Sequence, residues 1–202
     1  MSAQDGTTAR ETSYEVPYKT SYAVPAAATW GLLLAFAVHD AEELATMPAW
    51  AARRADRLEE RYPRLPSGVV DALRIDTAHA ATAIGLMGGV VAAASAAGAW
   101  SGGRSAFYQS VLAGFGLHSL THLGQSAAAR GYTPGVVTAP LVVAPFGCWA
   151  WARLRRAGVL RETTGRDVGR AALMFPAVAA GVHAGAFALR AAARRKARRR
   201  SG

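Results

Sequence analysis

Residues 26–46, AAATWGLLLAFAVHDAEELAT, decide how the rest of this chain is read. The stretch begins as an apolar helix long enough to cross a bilayer, with Trp30 near one interface. Before it ends it takes in His39, Glu42 and Glu43. Ionisable side chains inside an apolar helix are costly, so by default they mark a functional site rather than a solvated face. Working outward, five stretches of the chain run 19 residues or longer without Asp, Glu, Lys or Arg, and every histidine lies in, or at the start of, one of them. His79 opens the second, His118 and His122 lie in the third and His183 lies in the fifth.

The expected fold is therefore all-α: a polytopic membrane helical bundle of about five transmembrane helices. The spans fall near 26–46, 78–99, 105–127, 134–152 and 171–189. Met47 and Pro48 are expected to end the first span. The connection after it carries Trp50, Ala51, Ala55, Leu58 and Tyr62 on one helical stripe, with Arg53, Arg54, Arg57 and Glu60 elsewhere. That pattern predicts an interfacial amphipathic helix over 50–62, with a second short helix starting near Ser67. Residues 1–25 read as a polar N-terminal segment, 26–190 as the transmembrane helical domain and 191–202 as a basic C-terminal tail.

Composition agrees with close-packed helices in lipid. The chain is 51% hydrophobic but only 8% aromatic, with 21 glycines among its 202 residues. Its mean hydropathy of +0.12 is low because 23 Lys and Arg crowd the connections and the tail. A net charge of +10 invites a nucleic-acid reading. The basic run from Arg194 to Arg200, however, follows directly on an apolar span. There it serves to hold a helix end in the cytoplasm and to bind anionic lipid headgroups, so the expected partners are membrane lipids and no nucleic acid. With more basic residues on the side of the C-terminus, the positive-inside rule predicts a multi-pass protein of a bacterial inner membrane with its C-terminus cytoplasmic. Cys148 stands alone, which excludes an intramolecular disulfide and a thiolate metal cluster.

Threading the chain through five spans brings all five histidines to the same half of the membrane. His39, Glu42 and Glu43 at i, i+3 and i+4 share one helical face, and His118 and His122 at i and i+4 have the spacing by which a helix offers two imidazoles to one metal. Asp76, three residues before His79, is placed to orient that ring or to cap the helix. Two adjacent carboxylates with no Arg or Lys in the spans would repel or take up a proton, and a divalent cation would neutralise them. Imidazole plus carboxylate suits iron or zinc better than calcium or magnesium. The candidate metal ligands are His39, Glu42, Glu43, His79, His118, His122 and His183. Seven exceed the four that a single zinc takes, so a dinuclear centre is expected.

The HDAEE stretch at 39–43, MPAW at 47–50, HSLTH at 118–122 and YTPGVVTAPLVVAP at 132–145 together resemble the bacterial membrane proteins named for their HxxEE motif. The resemblance covers roughly residues 26–150 and puts the motif on His39, Glu42 and Glu43. It implies a membrane fold and importance for these positions, and it supplies no reaction. Intramembrane CAAX-type proteases pair EExxxR with later histidines, but Met47 stands where their arginine would be. Membrane desaturases and hydroxylases use more histidine boxes than this chain holds.

These observations lead to a membrane-embedded metal-dependent enzyme acting on an apolar, lipid- or isoprenoid-like substrate. One of Glu42 and Glu43 is expected as a ligand and the other as a general base. Two irons imply oxygen activation, and zinc implies hydrolysis by an activated water. The alternatives are a b-type haem protein with axial histidines from different helices, which leaves the glutamates without a role, and a metal or proton transporter.

Overall fold

A computed structural model describes residues 23–162 and 165–200; the expected polar N-terminal segment lies almost wholly outside them. Among the described residues the regular structure is helical: α1 (Ala26–Arg61), α2 (Ser67–Leu73), α3 (Thr77–Trp100), α4 (Ala106–Ala129), a π-helical turn (Ala139–Val143) that runs into α5 (Ala144–Arg156), and α6 (Gly165–Arg200).

Helix α1 corrects the expected break at Pro48, for it runs on through the proline to Arg61 and takes in the segment assigned to a separate interfacial helix. A proline inside a helix removes one backbone hydrogen bond and crowds the carbonyl four residues earlier. Here that carbonyl belongs to Leu44, while one turn away the Thr46 hydroxyl donates to the Glu42 carbonyl at 2.8 Å. The extension is also held from outside. Ala51 and Ala55 are buried in it, and Arg74, just beyond α2, donates to Asp56 at 2.6 Å and to Glu59 at 3.0 Å.

The other boundaries follow local chemistry. Asp76 caps α3 by accepting the His79 backbone N–H at 2.7 Å, and Gly102 and Gly103, both with positive φ, turn the chain after Trp100. Residues 134–137 form a turn where the fourth span was expected to begin. The segment beyond it is a wide π turn because Pro145 has no N–H for the carbonyl of Leu141; the register slips, and the Ala144 N–H reaches Ala139 instead. Helix α6 continues through the expected tail to Arg200.

The core joins α1, α3, α4 and α5 around Leu32, Phe36, Val91, Tyr108, Leu112 and Leu154. Small residues let the helices approach. A Cβ on Gly98 would lie 2.6 Å from the Tyr108 ring, and one on Gly31 would lie 2.7 Å from Phe146. Tyr108 donates its hydroxyl to the Ala28 carbonyl, so this ring ties α4 to both α1 and α3. Gly98→Ala should therefore lower stability by about 1–3 kcal/mol, the usual cost of overpacking, while leaving the distant histidines in place. Thermal unfolding with metal content measured alongside checks this.

Beside this apolar core several polar side chains are buried, and several large apolar ones are exposed. Thr29, His39, Asp40, Gln109, Ser119 and His122 are buried, whereas Trp30, Leu34 and Val38 form an exposed stripe on α1 and Leu117, Leu120 and Leu141 are more than half exposed. Only α3, among the described residues, is long and apolar enough to cross a membrane by length and composition. Helix α1 falls short because it meets Asp40, Glu42 and Glu43 before it has run the length of a span.

Candidate metal centre

Four of the seven expected ligands meet. His39 and Glu43 come from α1, and His118 and His122 come from α4. One ligand atom from each lies within 4.8 Å of all the others. His122 is the hub. Its Nε2 is 2.8 Å from His118 Nε2, 3.2 Å from His39 Nε2 and 3.3 Å from Glu43 Oε1, while Glu43 Oε1 is 4.0 Å from His39 Nε2. His39 and His122 are almost fully buried, and Glu43 keeps 12% of its side chain exposed.

The partners of the outer ring nitrogens fix which nitrogen faces the centre. The Pro134 carbonyl can only accept, so His122 donates to it from Nδ1 at 2.8 Å. Thr138 gives its one hydroxyl proton to Glu42 Oε2 at 2.6 Å, which leaves its oxygen to accept from His39 Nδ1 at 2.7 Å. Thr121 donates to the His118 carbonyl at 2.7 Å and is free to accept from His118 Nδ1 at 3.2 Å. With each Nδ1 protonated, neutral rings turn three bare Nε2 lone pairs and a carboxylate oxygen toward one another. Such a set repels itself in the absence of a cation. Around a metal with bonds of about 2.0–2.1 Å, tetrahedral ligand atoms stand about 3.3 Å apart, close to the separations seen here. The residues thus fit a metal ion, with the outer hydrogen bonds that metal-binding histidines characteristically make.

Glu42 does something else. Its carboxylate is turned about 100° around α1 from that of Glu43 and faces the turn at 132–138. There it accepts from the Thr138 N–H at 2.8 Å, the Thr138 hydroxyl, the Tyr132 hydroxyl at 2.8 Å and the Val137 N–H at 3.3 Å. Burial holds the Tyr132 phenol above its ordinary pKa, so it stays a donor to that carboxylate. Trp50 anchors the same turn by donating its indole N–H to the Tyr132 carbonyl at 3.1 Å. Glu42 therefore sets the position of Thr138, which in turn orients His39.

Gly135 makes the turn possible. Its φ is +81°, and a Cβ there would lie 2.6 Å from His122 Cε1 and 2.9 Å from His39 Cε1. The chain crosses over the two imidazoles at a point where only glycine fits.

His79 and His183 stand apart from this group. His79 Nε2 is 2.9 Å from His183 Nδ1, and the rings stack with centroids 5.2 Å apart. Asp76, besides capping α3, pairs with Arg190 of α6 at 2.7 Å. Helices α3 and α6 carry these two, and neither is within the four-residue group, although His183 lines the same cavity as Glu43 and His122.

Reading the residues alone left Thr121, Tyr132, Pro134, Gly135 and Thr138 without roles. Four of them lie in the 132–145 stretch that carried the family resemblance, and its Pro-Gly step is a turn signal that could have pointed to a backbone crossing. Thr138→Val, which removes the hydroxyl linking Glu42 to His39 at nearly constant volume, should weaken metal binding about 10–100-fold without unfolding the bundle. Competition for the metal with a calibrated chelator checks it.

Comparison with curated proteins and with solved structures finds no match. Residues 30–150 match the family described as "Protein of unknown function with HXXEE motif", and that span contains His39, Glu42, Glu43, His118, His122 and the 132–138 turn. The chain belongs to this HXXEE family, and the two glutamates of its motif divide between the candidate metal centre and the turn that orients it.

Proposed function

We propose that this protein is a membrane-embedded metal-dependent hydrolase with one zinc ion held by His39, His118 and His122, and with Glu43 on the side open to substrate. The observation that carries this reading is the convergence of three imidazole Nε2 atoms and one carboxylate, each ring held by a partner on its other nitrogen. A mononuclear ion is favoured over a pair because four donors converge, Glu42 is engaged by the 132–138 turn and the remaining two histidines bond to each other. Haem is disfavoured because Nε2 atoms 2.8–3.2 Å apart leave no space for a macrocycle between them.

Held by these three histidines, a zinc ion would supply Lewis-acid activation of water near neutral pH. Glu43 is the residue placed to take up its proton, for it lines the adjoining cavity and lies farther from His39 than His122 does. The substrate is lipid- or isoprenoid-like, with an apolar chain. The exposed apolar side chains Leu34, Leu117, Leu120 and Leu141 support immersion in lipid as a multi-pass bundle, and the basic run from Arg194 to Arg200 supports a cytoplasmic C-terminus.

Metal analysis of the detergent-purified protein, with a visible absorption spectrum, tests the proposal. About one zinc per chain and no Soret band is the expected result. Glu43→Gln should retain zinc better than a histidine variant and abolish turnover, because an amide neither holds nor releases the proton. Metal-free wild-type protein, or a Soret band, would overturn the reading.

A further inference from the structure

Beside the metal centre lies a cavity of about 320 Å³ whose lining includes Glu43 and His122. Along α1 it follows Glu43, Met47, Ala51 and Arg54, residues spaced at helical repeats on one face, so it runs about 16 Å along the helix axis at 1.5 Å per residue. Leu73 and Ile75 join Met47 and Ala51 in its apolar lining, and Gln125 and His183 line it as well. At the far end Arg54 lies over the Trp50 ring, its guanidinium carbon 5.9 Å from the centroid, and no ion pair to it is found among the described residues. The nearby acids Asp56 and Glu59 are taken by Arg74. An elongated cleft with a metal site at one end, an apolar middle and a cation without a carboxylate partner at the other is complementary to one kind of molecule.

We propose that this cleft binds a single-chain anionic amphiphile, with its anionic group on Arg54 and its chain laid along Met47, Ala51, Leu73 and Ile75. The reacting part of the molecule is then the end remote from the anionic group, beside Glu43 and His122; this assignment rests on the metal reading above. Arg54 lies in the interfacial stretch of α1, where a charged head can be delivered from the membrane surface while the chain stays out of water.

The test uses the full chain in nanodiscs of zwitterionic phosphatidylcholine, with dodecyl phosphate as the probe and calorimetry as the readout. Dodecyl phosphate should bind saturably at one per chain. Hexyl phosphate, which lacks the chain length, and dodecanol, which lacks the charge, should each bind about ten-fold more weakly or worse. Arg54→Gln should reduce dodecyl phosphate to the affinity of dodecanol, and Arg54→Lys should restore part of the difference. Ala72→Trp, at an exposed cleft-lining position that the core does not use, should remove binding of both. Equal affinity for the phosphate and the alcohol, or binding that neither Arg54→Gln nor Ala72→Trp changes, overturns the proposal. Zinc is measured in the same samples so that the two readings can fail separately. Arg54-dependent binding to a protein that carries no metal sinks the hydrolase and leaves the cleft, whereas zinc-loaded protein that does not bind the probe sinks the cleft alone.

Discussion

His122→Ala should reduce bound zinc from about one per chain to less than about one tenth, the largest effect of any single side-chain change in this protein. His122 Nε2 lies within 3.3 Å of ligand atoms from His118, His39 and Glu43, and its Nδ1 ties the centre to the Pro134 carbonyl. Removing it takes away a ligand, opens the middle of the site and leaves a buried carbonyl without its donor. The same substitution at His79 should leave zinc unchanged, because that ring bonds to His183 and not to the cluster. Metal analysis of both variants after equilibration with excess zinc and desalting gives the comparison. Equal losses would mean that metal content follows general stability rather than ligation.

The second large effect belongs to a residue with no side chain. Gly135→Ala forces a Cβ to within 2.6–2.9 Å of the His122 and His39 rings at a backbone φ of +81°. The conformation alone costs about 1–3 kcal/mol for a non-glycine residue. The contact cannot be relieved by a flexible chain end, since both rings are buried and each is held at Nδ1. The turn must move, and with it the Pro134 carbonyl and Thr138 that orient the two histidines. We expect a lower unfolding temperature together with zinc affinity reduced by at least the 10–100-fold that loss of an outer hydrogen bond costs. A variant that is destabilised yet binds zinc as the wild type does would show that the turn does not hold the rings.

The pairing of HDAEE with HSLTH was legible because helix periodicity is local. Spacings of three and four residues bring His39 to the side of Glu43, and His118 to the side of His122, whatever the rest of the fold does. The two faces meet in the four-donor group, to which α1 gives His39 and Glu43 and α4 gives His118 and His122. The choice between Glu42 and Glu43 was not legible. Adjacent residues differ by about 100° around a helix, and the rotation of α1 about its own axis is set by packing against α3, α4 and α5. The same rotational freedom explains why His79 and His183, expected in the same site, pair with each other instead.

The 132–138 turn was the larger omission. Its partners on α1 are some ninety residues away in sequence, and no periodic pattern encodes a contact between a loop carbonyl and a ring nitrogen. Pro48 misled for a related reason. A proline favours a helix end locally, but the packing of Ala51 and Ala55 and the Arg74 bridge to Asp56 and Glu59 hold α1 together beyond it.

X-ray absorption at the zinc edge of the purified, zinc-loaded protein is the most direct measurement. Three imidazoles contribute multiple-scattering features that carboxylates and water do not, and the ligand distances fall near 2.0–2.1 Å for nitrogen and oxygen. The account predicts three histidine nitrogens and one or two oxygens in the first shell, with one histidine lost in His118→Ala. A shell of oxygens only, or one containing sulfur from Cys148, would contradict it.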